Sequence, residues 1–144
     1  MSPTDTPLEF VGSSKDDLSE FPVPVKSCIG FALRAAQQGQ KHPDAKPLKG
    51  FHGAGVVEII SDFDGDTFRA VYTIKLKGII YVLHAFQKKS KTGIRTPQAE
   101  IDLIKSRLKD AQTLYKIAME GSREKNSQHE EQRERVRRPR PAKR

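Results

Sequence analysis

The chain has 144 residues, with 26 Lys+Arg against 18 Asp+Glu and a formal net charge of +8. That length predicts one domain with a modest core, and a hydrophobic content of 35% with no long apolar run excludes a membrane-spanning helix. No cationic start leads into an apolar segment, so no export signal is expected. The single cysteine, Cys28, cannot form an internal disulfide and fits a reducing cytoplasm. The charge is uneven: residues 121–144 hold nine Lys/Arg and four Asp/Glu, a net of +5, leaving +3 for Met1–Glu120. The tail supplies most of the basicity, so the overall charge is not by itself evidence for nucleic-acid binding.

Residues 1–7 are polar with two prolines and read as a disordered start. Leu8–Val11 alternates and reads as an edge strand. Ser14 is placed to cap a short helix from Lys15 to Glu20, with Asp16 and Asp17 in its first turn. After Pro22 and Pro24 a second helix is expected from Val25 to Gln38, with Val25, Ile29, Ala32 and Ala36 on one stripe. Cys28 lies beside that stripe and reads as packing. Gly39 follows as a stop. Lys41–Gly55 reads as a connector, anchored by Leu48 and Phe51. Val56–Ser61 reads as a strand, and Asp62–Asp66 as a solvated turn; it lacks the later glutamate of a calcium loop.

Thr67–Lys91 holds two apolar runs, Phe68–Ile74 and Ile79–Phe86, joined at Lys75–Gly78. This is a β-hairpin pattern. Strict alternation puts Arg69, Val71 and Thr73 on one face of the first run, opposite Phe68, Ala70 and Tyr72. In the second run it separates Tyr81, Leu83 and Ala85 from Ile80, Val82, His84 and Phe86. The strand then enters Lys88, Lys89 and Lys91. Thr96-Pro97 opens a last helix running to about Met119. Its apolar stripe is Ile101, Ile104, Leu108, Ala111, Tyr115 and Ala118, with Lys105, Arg107, Lys109 and Asp110 on a solvated face. These elements predict an α+β fold: a helical hairpin and a C-terminal helix around a small antiparallel sheet, in the order β-α-α-β-β-β-α. The organisation is a short N-terminus (1–7), one domain (8–120) and a disordered basic tail (121–144).

The chain has no phosphate-binding glycine loop, no dinucleotide fingerprint and no zinc-spaced Cys/His set. What remains is cations, one histidine in the hairpin and tyrosines. Such a set suffices for RNA cleavage without a cofactor or metal, in which the 2′-OH attacks the adjacent phosphate. That reaction needs a base, an acid and cationic stabilisation of the phosphorane. Histidine suits the proton transfers and arginine the phosphate.

Arg69-Ala-Val-Tyr72, then Tyr81-Val-Leu-His84-Ala-Phe86-Gln-Lys88-Lys89-Ser-Lys91, then Thr96-Pro97, resembles the RelE/HigB branch of the RelE/ParE toxin superfamily, in its phage-derived HigB-like subgroup. The resemblance spans roughly Leu8–Tyr115. It implies a RelE-like fold and a type II toxin that cleaves translated messenger RNA on the ribosome without metal. It also implies a cognate antitoxin, a small helix-turn-helix protein, and action in the cytoplasm. By position, Arg69 matches the family's central-strand arginine, His84 its His-x-Phe histidine, and Lys88 and Lys89 its double lysine. These four are the candidate catalytic residues, and Arg69, Lys49 and Lys91 the candidate RNA contacts. Each has a competing reading: an ion pair within the sheet for Arg69, a hydrogen-bonded sheet histidine for His84, a solvated strand end for the lysines. A ParE-like gyrase inhibitor and a non-catalytic phage-derived RNA- or protein-binding module are the alternative functions.

Overall fold

The computed structural model describes residues 5–51, 53, 55–89 and 96–137. In chain order its elements are β1 (Leu8–Phe10), α1 (Ser14–Ser19), α2 (Val23–Gln37), β2 (Ala45–Pro47), β3 (Val56–Phe63), β4 (Asp66–Thr73), β5 (Ile80–Lys89) and α3 (Gln98–Arg137). The α+β class stands, and the strands form one sheet in the order β1-β5-β4-β3-β2.

The central β4–β5 hairpin forms as its pattern predicts, with Gly78 in the connection at φ +90°, a backbone region open to glycine. β3 and β4 are joined by Asp64-Gly65, both at positive φ (51° and 83°). That geometry matches strand twist, and the Asp-Gly pair favours it.

Two expectations about the sheet are corrected. The Lys41–Gly55 connector contains a fifth strand, β2, antiparallel to β3; Pro47 is tolerated there because an edge strand can spare an N–H. The sheet is also mixed, because β1 runs parallel to β5. The Val11 N–H and the Ser14 hydroxyl both donate to the Val82 carbonyl, which pins the β1–α1 junction alongside β5 and sets the direction of β1. Ser14 is therefore buried rather than a cap, and Ser13 takes the N-cap position.

The packing of the two faces turns on one irregularity. Val71 pairs with His84 but Tyr72 pairs with Val82, so Leu83 is an extra residue in β5. Such a bulge shifts the alternation by one. Ile80, Val82 and Ala85 consequently share a face with Phe68, Ala70, Tyr72, Val57 and Ile59, and pack against Val25, Ile29, Ala32, Leu33 and Ala36 of α2. The α2 residues recur at helical spacing, as expected, and Ile29 and Ala32 are fully buried. Burying a side chain such as Ile29 contributes about 1.5–3 kcal/mol. Burial of Tyr72 in this core raises its pKa above the usual 10.0. Cys28 sits at the margin, half-buried, its thiol donating to Asp44 Oδ2.

The opposite face carries Glu58, Arg69, Val71, Thr73, Tyr81, His84, Phe86 and Lys88 by register. The first turns of α3 bond to it, so helices stand on both faces of the sheet. Ile104 and Ala111 of α3 are fully buried.

The chain divides into two compact units, Met1–Gln112 and Thr113–Arg144. The first holds the sheet, α1, α2 and the opening turns of α3. In the second, α3 continues to Arg137 and exposes Leu114 and Ile117. The sequence reading ends this helix near Met119; residues 138–144 of the basic tail lie outside the described residues. No described helix is long and apolar enough to cross a membrane.

Candidate active site

The face under α3 holds two adjoining polar networks. In the first, Arg69 Nη1 donates to Glu58 Oε2 at 3.0 Å and to Thr96 Oγ1 at 2.9 Å, and the Thr96 hydroxyl donates to Glu58 Oε2 at 2.8 Å. The Arg69 and Glu58 side chains are 4% and 3% exposed. Arg69 thus forms the ion pair with a sheet neighbour that was its competing reading. It is not presented to solvent.

In the second network, His84 is 5% exposed and stacks on Phe86, ring centroids 4.8 Å apart. Its Nε2 bonds to Glu100 Oε2, and its Nδ1 lies 3.2 Å from Arg107 Nη1. A guanidinium only donates, so Nδ1 must accept and the ring proton sits on Nε2, directed at the carboxylate. This is a carboxylate-oriented imidazole, the arrangement that prepares a histidine to accept a proton at its other nitrogen. The base nitrogen is covered by Arg107.

Arg107 is half-buried, against the expectation of a solvated face, whereas Lys105, Lys109 and Asp110 are exposed as expected. Its Nη1 also donates to the Leu83 carbonyl at 3.1 Å, and its Nη2 to Ser13 Oγ at 3.0 Å. Leu83 is the bulge residue, whose carbonyl is released from regular strand pairing.

The structure does not bring all the expected residues together. Lys88 is half-buried on the same face as His84, but four residues along a strand is about 13 Å. Lys89 is the register partner of Asp66 at the same strand end. Lys49 is exposed beyond β2, three strands across the sheet from β5 and towards its opposite end. Lys91 lies outside the described residues. A cavity of about 370 Å³ elsewhere is lined by Glu20, Phe21, Phe63, Asp64, Asp66 and Gln87 among others. Its carboxylates disfavour a phosphate ligand, and among the described residues none of the expected cations lines it. Among the described residues no group of three or more His, Cys, Asp or Glu could hold a metal ion.

Glu58 and Glu100 of these networks were not named from sequence, Thr96 was read only as part of the helix start and the motif, and Arg107 only as part of a solvated face. One signal was present. Glu100, Ile104, Arg107 and Ala111 follow i, i+4, i+7, i+11 spacing, which places two charged residues on the same stripe as two buried apolar ones.

A model of the family described as "Phage derived protein Gp49-like" matches residues 16–109. Among solved structures, the chain is similar to the toxin–antitoxin complex RelBE2 from Mycobacterium tuberculosis, with 18% identity and a TM-score of 0.41 over 58% of this chain and 99% of that one. No curated protein matches.

Proposed function

The chain belongs to the phage-derived Gp49-like family, a RelE/HigB-type toxin family, and from that premise we propose that it is a ribosome-dependent, metal-independent endoribonuclease that cleaves translated messenger RNA. The observation that carries this reading is the imidazole of His84, fixed by Glu100 on one nitrogen and facing a guanidinium with the other.

In the reaction, the ribose 2′-OH gives its proton to His84 Nδ1 while the 2′ oxygen bonds to phosphorus. The bond to the 5′ oxygen breaks, and that oxygen takes a proton from solvent. The products are a 2′,3′-cyclic phosphate and a 5′-hydroxyl. Glu100 stabilises the imidazolium that forms. Lys88 and Lys89, with Lys91 beyond them, hold flanking phosphates at the end of β5, where cations add sequence-independent affinity. Arg69 acts through its pair with Glu58, which joins the start of α3 to the sheet; it is a positioning residue. The same reading supplies a cognate antitoxin, a small helix-turn-helix protein covering this face, and places the action in the cytoplasm.

The test is induced expression without antitoxin, with primer-extension mapping of 5′ ends on several translated messages. New in-frame cuts that disappear when the start codon is removed are expected. Growth arrest with intact messages would assign the protein to a gyrase-type target instead, and no arrest would favour a binding module.

A further inference from the structure

Arg107 stands out among the cations of the fold by the nature of its partners. Its guanidinium bonds to the Leu83 carbonyl, the His84 Nδ1 and the Ser13 hydroxyl. None of the three is a carboxylate. Among the described residues no carboxylate lies within ion-pair distance of it, whereas Arg69 has Glu58 and Arg34 has Asp5. A half-buried guanidinium with no carboxylate beside it has not made the strongest bonds open to it, which are to carboxylate or phosphate.

The side of Arg107 away from His84 meets the surface. Ser13 and Gly12 are exposed. A Cβ at Gly12 would come within 2.9 Å of Arg107 Nε and 3.0 Å of Cζ, at φ +59°. The guanidinium therefore fills the space a side chain at Gly12 would need at the β1–α1 turn, with one nitrogen on an exposed hydroxyl and the other on the buried base nitrogen.

We infer that Arg107 binds the phosphate at which RNA is cleaved, and that in doing so it leaves His84 Nδ1 free to act as the base. The inference rests on the nuclease reading. A two-pronged contact that pairs the guanidinium with an anionic phosphate outweighs single contacts to uncharged acceptors, so imidazole and hydroxyl lose the competition for the guanidinium. The exchange places the phosphate beside the nitrogen that must take the 2′-OH proton, and leaves the guanidinium where charge builds on the phosphorane. Without RNA, Arg107 keeps the base covered.

The experiment combines a binding signal with a cleavage signal. In the full-length protein, the His84 ring nitrogens are followed by NMR while a single-stranded 2′-O-methyl oligonucleotide, which lacks the attacking hydroxyl, is added at low salt. The wild-type Nδ1 resonance should move towards that of an uncovered ring nitrogen. In Arg107→Ala it should start there and stay. Message cleavage should fall about 100-fold or more in Arg107→Ala. Arg107→Lys retains charge but not the fork, so it should recover part of the loss, and it serves as the folded control if the alanine variant does not fold. Wild-type cleavage matched by either variant overturns the inference and leaves the nuclease reading standing, as does an Nδ1 resonance unmoved by saturating oligonucleotide. A wild type that moves Nδ1 but cuts no message keeps the phosphate site and removes the nuclease.

Discussion

Replacing Glu58 with leucine removes the carboxylate from a buried pair whose guanidinium, on Arg69, also bonds to Thr96 Oγ1. Both side chains of the pair are under 5% exposed. Removing one partner of such a pair costs about 3–5 kcal/mol, mostly for the charge left behind. In a chain of this size that corresponds to a melting temperature lower by about 10–20 °C. The two single variants should not be equal. A guanidinium cannot shed its proton, whereas a buried carboxyl can take one up. Glu58→Leu should therefore be less stable than Arg69→Met, and mildly acidic buffer should restore part of the loss only in Arg69→Met. The double variant Glu58→Leu/Arg69→Met removes both charges and should unfold within about 1.5 kcal/mol of wild type. Urea unfolding of the four proteins at two pH values gives the cycle. A double variant as unstable as the worse single would refute the reasoning, as would an Arg69→Met protein indistinguishable from wild type.

Gly12→Ala should destabilise the fold by about 1–2 kcal/mol through its left-handed backbone, and should displace the Arg107 guanidinium from the 2.9 Å approach; unfolding and message cleavage measure the two effects separately. Ile104→Ala leaves a cavity at a fully buried position of α3 and should cost about 2–5 kcal/mol by urea unfolding. Gly65→Ala, at φ 83° in the β3–β4 turn, should cost about 1 kcal/mol. Tyr72 gives a signal in base. Its pKa is raised above 10.0 by burial, so the neutral form is favoured in the folded state. That contribution is fully present below the unfolded value and is lost as pH rises through the folded one; Tyr72→Phe should flatten the fall in stability above about pH 10, read by unfolding across that range.

Periodicity and turn chemistry are local, and what depends on them was legible in the chain. The α2 stripe of Val25, Ile29, Ala32 and Ala36, the hairpin about Gly78, and the turn ahead of Thr67 all follow from residues a few positions apart. So does the pairing of Thr96 with Pro97 at the start of α3. The short β2 strand escaped because a three-residue edge segment ending in proline has no period to read. The direction of β1 escaped because it depends on Val82, about seventy residues away. The site itself was decided by one such distant event. Strict alternation groups His84 with Ile80 and Val82, which face α2. The bulge at Leu83 reverses that phase and turns His84 to the face of Arg69, Glu100 and Arg107. Residue types thus determined that the chain carries a histidine, arginines and lysines suited to RNA. Which of them are buried, paired or poised was settled only by strand register, because register is an agreement between two strands and is written in neither alone.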